Sequence, residues 1–283
     1  MILTNYFYKY ATKDCGDRIA IPEIDRVGYM TPQYTEMFRN ELSAIQLDGT
    51  VAILYVVGVT IHQSETRTCT KDYTNSLQIE DSSMVAKSTV GYMLHKYAGL
   101  IGRSNNVVSV DMVTNTCASS LYAVKRAEEL LKGVDHVVVI AEEKTSFDTI
   151  RIFHEHNIPV KPSDAFACTV FSNEGKGTII DTCKAVYKYS RNPFDVLESG
   201  LEAIKTEADV YKVHGTGTGV NNKAEEAVFG ESTVEYKSKV GHAQGASGLV
   251  ELCMAIDDDK LQGDILCIAA GMGGYYASCL LHK

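Results

Sequence analysis

The sequence predicts an α/β fold built on a largely buried sheet. Short apolar runs alternate with segments of helical periodicity along the chain. Runs such as "VVVIA" (137–141) show no polar alternation, which requires both faces of the strand to be covered by other layers. No linker rich in Pro, Gly or Ser divides the 283 residues, so one fused body is expected.

The expected strands are "VAILYVVG" (51–58), "VVSVDMV" (107–113), "HVVVIA" (136–141) and "FACTVFS" (166–172), then "GTIIDTCKAVYKY" (177–189), "DVYKVHG" (209–215), "DILCIAAG" (264–271) and "YYASCLL" (275–281). Helices are expected between them. Residues 82–100 and 119–133 place apolar side chains three and four apart, and Gly133 offers a C-terminal stop. Residues 193–205 carry a proline near the start, where a missing N–H costs little. Residues 245–256 present small side chains suited to close packing. "TCASSL" (116–121) and "GHAQGASGL" (241–249) echo one another, each leading a reactive side chain, Cys117 or His242, into a small-residue helix.

Composition removes several classes of function. A formal net charge of −9 disfavours generic binding to nucleic acid or anionic membranes. The longest apolar stretch, 51–59, is too short to span a bilayer, and the first residues lack the pattern of a signal peptide, so a cytoplasmic protein is expected. Eight cysteines lie scattered without a CxxC pair, which is neither a disulfide framework nor a structural zinc pattern. His154 and His156 have no ligand partners at recognisable spacing and read as surface histidines, so no metal is expected.

Three residues stand out for chemistry. Cys117 follows an apolar strand and opens a helix, where the positive end of the dipole is expected to lower a thiol pKa and a free backbone amide can face an oxyanion. His214 ends a buried strand in "VHGTGTG", and His242 stands between Gly241 and a helix. Taken singly, each has a plainer reading: a core thiol, a histidine satisfying its own turn, a helix cap. Together they fit a thiol-based acyl-transfer site.

The order and surroundings of these motifs resemble the β-ketoacyl synthases, the condensing enzymes of fatty acid and polyketide biosynthesis. "TNTCASSLYA" (114–123) is similar to that family's nucleophile segment, and "VHGTGT" (213–218) to its first histidine motif, with Glu225 where the family carries a glutamate. "KSKVGHAQGASG" (237–248) matches the lysine and second-histidine motif through Lys237 and His242, and "AGMGG" (270–274) resembles the glycine-rich turn, with Gly271, Met272 and Gly273. "MILTN" resembles a first strand, and "MTPQ" (30–33) a short family sequence. Asn222 departs from a usual aspartate, and Met272 from a phenylalanine that gates the acyl pocket.

The resemblance implies a thiolase-like, five-layered α-β-α-β-α fold with two similar halves, about 1–150 carrying the nucleophile and about 151–283 carrying the histidines. It implies acyl transfer from a carrier-protein thioester to Cys117, then decarboxylative Claisen condensation with a malonyl thioester. His214 and His242 would donate to the malonyl carbonyl, and the N–H groups of Cys117 and Met272 would form the oxyanion hole beside Gly271 and Gly273. Lys237 and Glu225 would organise charge around the histidines. No resident cofactor is implied, because the phosphopantetheine arm arrives with the substrate. The implied partners are acyl carrier protein and a second subunit, in a homodimer or a heterodimer with another ketosynthase-like chain. Two alternatives remain: a helper subunit similar to chain-length factors, and an acyl-transferring thiolase-like enzyme that does not condense with malonate.

Overall fold

A computed structural model describes residues 1–24, 32–57 and 90–283. The first part of the chain forms β1 (Ile2–Tyr10), a small ribbon of β2 (Lys13–Asp14) and β3 (Ile19–Ala20), α1 (Pro32–Met37), α2 (Arg39–Ser43), β4 (Thr50–Val57), α3 (Val90–Ile101), β5 (Asn106–Val113), α4 (Ser119–Leu130), β6 (His136–Glu143), α5 (Phe147–Glu155) and β7 (Ala165–Ser172). The remainder forms β8 (Thr178–Tyr187), a 3₁₀ turn (Pro193–Val196), α6 (Leu197–Ile204), β9 (Val210–Lys212), α7 (Gly219–Phe229), β10 (Thr233–Val234), α8 (Lys237–Val240), α9 (Gln244–Asp257), β11 (Asp264–Gly271) and β12 (Tyr275–His282).

Two sets of five strands repeat one plan. In the first, β1 pairs antiparallel with β7, β7 antiparallel with β6, β6 parallel with β4 and β4 parallel with β5. In the second, β8, β12, β11, β9 and β10 follow in the same order with the same senses. The sets meet at Ile2↔Ile179 and Leu3↔Thr178, where β1 touches β8. Because β7 closes the first set, the repeat changes over between Ser172 and Thr178. Residue 150 itself lies inside α5, before the last strand of the first set.

Helices α4 and α9 lie between the two sets. α4 packs on β4, β5 and β6 of one and β8, β11 and β12 of the other; α9 packs on β1, β4, β6, β7 and β11. α2 and α3 cover the outer side of the first set, and α6 and α7 the outer side of the second. The result is the expected α-β-α-β-α layering, and Val137 to Ala141 are wholly buried as their unbroken apolar run requires. Burying each such Val or Ile is worth about 1.5–3 kcal/mol relative to exposure.

Small residues let the two central helices touch. A Cβ on Gly248 would lie 3.1 Å from Leu121 Cγ and 3.1 Å from Ser120 Cβ, so a large side chain there would force α9 away from α4.

Some elements differ from expectation. The first strand continues to Tyr10, well beyond "MILTN", because Tyr6, Tyr8 and Tyr10 alternate with Phe7 and pair along β7. The strand expected over 209–215 stops at Lys212, since Gly215 (φ 64°) and Gly217 (φ 73°) turn the backbone away. Residues 193–205 split into a 3₁₀ turn and α6. Residues 82–89 of an expected helix, Met30 and Thr31 of "MTPQ", and Cys69 lie outside the described residues.

Candidate active site

Cys117 sits in the turn between β5 and α4. Thr116, just before it, holds a left-handed φ of 54°, an uncommon conformation for a β-branched residue. Ser119 secures this turn: its hydroxyl accepts from the Asn115 N–H and donates to the Thr116 carbonyl, both at 2.6 Å. Ser120 donates to the Gly245 carbonyl and so ties the start of α4 to the start of α9. No side chain caps α4; the Ala118 and Ser119 N–H groups donate instead to the Asn115 and Thr116 carbonyls, both at 3.2 Å.

The β11–β12 turn presses against the cysteine turn. A Cβ on Gly271 would stand 2.2 Å from Thr116 Oγ1 and 2.8 Å from the Asn115 carbonyl, so only glycine permits the approach. Thr116 Oγ1 donates to the Met272 carbonyl at 3.1 Å. The backbone N–H groups of Cys117 and Met272 both favour negative charge on the Cys117 sulfur. The Met272 side chain is 67% exposed and fills no buried pocket. Gly273 (φ 91°) serves the turn itself, its Cβ direction facing Tyr275.

The histidines arrive from the second strand set. His214 lies two residues beyond Lys212, the last residue of β9, and is buried. His242 follows Gly241, whose φ of 79° and 2.6 Å approach of a Cβ to Ser163 again admit only glycine. Segment 161–163 clamps His242: its N–H donates to the Lys161 carbonyl at 2.8 Å, and the Ser163 N–H donates to the His242 carbonyl at 3.2 Å. Ser247 Oγ lies 3.1 Å from His242 Nδ1, and Phe153 packs 5.8 Å from the ring. The rings of His214 and His242 meet edge to face at 5.2 Å. One donor atom each from Cys117, His214 and His242 lie within 4.8 Å of one another.

Beneath them is a buried charge network. Lys237 Nζ donates to the His214 carbonyl at 2.5 Å and pairs with Glu251 at 2.7 Å. Lys212 pairs with the same Glu251 and donates to the Ile268 carbonyl at 3.2 Å. Glu225 accepts from the Gly215 N–H at 3.0 Å, bracing the His214 turn. Asn221, not Asn222, holds the rest of that loop by donating to Thr216 Oγ1. A cavity of 1010 Å³ opens behind the loop, lined by Asp14, Lys161, Asn222, Glu225, Glu235 and Lys237 but not by the cysteine and histidines.

Burial reverses one expectation. The helix entrance was expected to lower the Cys117 pKa; instead desolvation pushes it up to about 11, with Glu143 adding to the rise and Lys237 and the two N–H groups opposing it. Burial first, then the Lys237 charge, hold His214 and His242 well below the ordinary histidine value, with Lys212 acting in the same direction. These shifts favour a neutral thiol beside two neutral imidazoles. Burial would also raise the Glu251 carboxyl, but Lys212 and Lys237 outweigh it and hold it low. Glu225 is raised, mainly by burial.

The structure therefore gathers Cys117, His214, His242, Lys237, Glu225, Gly271 and the Met272 backbone. It leaves exposed His154 and His156 at the end of α5, outside the site. Sequence reasoning missed Lys212, Glu251, Ser247 and Phe153. The Cys–His–His set has donor types that suit zinc, yet two ammoniums stand close by and oppose a cation.

No family model and no curated protein matches this sequence. Solved structures do. A complex of the ketosynthase ApeO with its chain length factor ApeC from Xenorhabdus doucetiae matches with a TM-score of 0.70 at 12% identity, covering 99% of this chain and 97% of that one. A β-ketoacyl synthase from Burkholderia phymatum matches with a TM-score of 0.70 at 14% identity, over 94% and 88% of the two chains. The ketosynthase of module 6 of the bacillaene synthase from Bacillus subtilis matches with a TM-score of 0.68 at 11% identity, over 100% and 71%.

The fold is the thiolase fold, here with a Cys–His–His centre at the junction of its two strand sets. The structures it resembles are ketosynthases and chain length factors. No helix among the described residues is long and apolar enough to cross a membrane.

Proposed function

We propose that this protein is a ketosynthase-like acyltransferase that forms an acyl-Cys117 thioester and condenses it with a malonyl thioester. The observation that carries this reading is the convergence of Cys117, His214 and His242 within 4.8 Å, with two backbone N–H groups favouring negative charge on the sulfur.

A thiol with a pKa of about 11 is only about one part in ten thousand thiolate at pH 7, so its proton must leave during attack. A neutral imidazole next to the sulfur takes it. The sulfur attacks the carrier thioester, and the tetrahedral oxyanion is held by the Cys117 and Met272 N–H groups; losing one such donor costs about 3 kcal/mol. The carrier thiol takes up the proton on leaving.

The malonyl thioester then presents its carbonyl oxygen to the histidines. Ser247 Oγ lies 3.1 Å from Nδ1; in the tautomer where the hydroxyl donates, His242 carries its hydrogen on Nε2 and can give it to that oxygen. Carbon dioxide departs, the enolate is stabilised by the two imidazoles, and its carbon attacks the acyl-cysteine carbonyl. The tetrahedral oxyanion collapses, the bond to sulfur breaks, and the Cys117 thiolate takes a proton from solvent to restore the thiol. The malonyl and acyl groups arrive on a phosphopantetheine arm, and no step as written draws on a resident cofactor. The free thiols among the described residues suit a reducing compartment such as the cytoplasm.

A second subunit completes the reading. Edge strand β5 ends the strand order with Val108 52% and Met112 43% exposed, an edge that a second ketosynthase-like chain would cover. The test of the chemistry is to incubate the protein with an acyl carrier thioester and map the added mass. Acyl mass on the Cys117 peptide supports the proposal; its absence, alone and with a partner subunit, contradicts it.

A further inference from the structure

Lys212 carries an ammonium into the centre of the molecule. It is 0% exposed, and its side chain spans from β9 to Glu251 on α9 and the Ile268 carbonyl on β11. A lone buried lysine is costly, and pairing one carboxylate with one lysine would balance the charge. Here Glu251 already has Lys237, so Lys212 is a second ammonium on a single carboxylate.

The geometry links this surplus charge to the histidines. Ser247 and Glu251 are four apart on α9 and so share a face: one meets His242 Nδ1 and the other holds both lysines. Lys212 ends β9 two residues before His214, and Lys237 donates to the His214 carbonyl. Resting on the condensing-enzyme reading above, we propose that Lys212 is a positioning residue: by sharing Glu251 with Lys237 it leaves one positive charge buried beneath His214 and His242 and keeps both imidazoles as neutral donors.

The charged and titratable groups around the two rings are few. Among the described residues, Lys237 on α8 and Lys212 on β9 act on both rings, and His242 acts on His214. Glu251 on α9 pairs with both lysines, Glu225 on α7 feels both, and Cys117 before α4 feels Lys237 and Glu143 at the end of β6. Lys212 and Lys237 both disfavour a proton on either imidazole. Removing Lys212 would leave Lys237 and Glu251 as one cation paired with one carboxylate.

The test is a histidine titration by ring NMR on the full-length resting protein, comparing wild type with Lys212→Met, Lys212→Gln and Lys212→Arg. Methionine keeps the stem without charge, and glutamine keeps a donor for Glu251 and Ile268. The proposal expects the midpoints of His214 and His242 to rise by about one pH unit in both neutral variants. It expects Lys212→Arg to stay near wild type. Unmoved midpoints in folded Lys212→Met or Lys212→Gln would overturn it. So would failure of both neutral variants to fold while Lys212→Arg folds, which would make Lys212 a charge needed for stability alone. Because the rings are read without substrate, absence of malonyl turnover would sink the condensation reading and leave this result standing. Where turnover is present, the neutral variants are expected to lose decarboxylation at pH 6 more than at pH 8.

Discussion

Cys117 and His242 occupy matching places in two copies of one plan. Cys117 precedes α4, which leads from β5 to β6; His242 precedes α9, which leads from β10 to β11 in the repeated strand set. The Ser120 hydroxyl bonded to the Gly245 carbonyl holds the two helix entrances together. Two reactive side chains from distant parts of the chain thereby share one small space.

The first prediction concerns the thiol. With a pKa of about 11, Cys117 should react with iodoacetamide slowly at pH 7, the rate rising about tenfold per pH unit with no plateau below pH 10. Peptide mapping after timed alkylation measures it. A plateau near pH 7 to 8 would mean a thiolate activated in the resting protein.

Acid should destabilise the fold through the histidines. Both have folded-state pKa values below the unfolded value of about 6.5, so their contribution is present above that pH and is lost as pH falls below it. Two such groups give a slope approaching about 2.7 kcal/mol per pH unit well below pH 6.5. Urea unfolding between pH 7.5 and 5 should show this fall, and a His214→Gln/His242→Gln variant should show a shallower one. Equal slopes would mean that the imidazoles protonate freely in the folded protein.

Gly271→Ala should separate chemistry from stability. Its Cβ collides with Thr116 and the Asn115 carbonyl and displaces the Met272 N–H. Acylation of Cys117 should fall by about 10²–10³-fold, the usual effect of losing one oxyanion donor. Stopped-flow or quenched mass measurement reads the rate, and thermal melting checks the fold. Wild-type acylation would remove Met272 from the oxyanion hole.

Much of this was legible in the sequence, for identifiable reasons. The unbroken run around Val139 marks a strand covered on both faces, and the small residues after Cys117 and His242 mark close helix packing. The reactive residues themselves stand in recognisable motifs. Lys212 and Glu251 escaped notice because a lysine in "DVYKV" and a glutamate in "GLVEL" read as solvent-facing charges; their burial comes from each other, 39 residues apart. The Cys117 pKa was misjudged for the same reason, since a helix entrance is visible in sequence and desolvation is not. Helix α7 was missed because "NNKAEEAVF" has a weak apolar stripe and its start depends on Thr218 accepting from the Asn221 N–H.

The exposed edge of β5 should be a subunit contact. Light scattering at micromolar concentration should give twice the chain mass, and Val108→Lys with Met112→Lys should return the monomer. A stable wild-type monomer would contradict self-association; stabilisation only by a second ketosynthase-like chain would establish the heteromeric form instead.

The central claim is a division of labour between the thiol and the imidazoles, and it is tested most directly by carbon dioxide release from a malonyl carrier thioester. Intact-protein mass for acylation is measured on the same samples. Cys117→Ala should lose all acylation yet still decarboxylate, because the enolate is held by His214 and His242. His214→Ala or His242→Ala should still form some acyl-Cys117 while decarboxylation falls by about two orders of magnitude. Decarboxylation at the wild-type rate in either histidine variant would contradict the account.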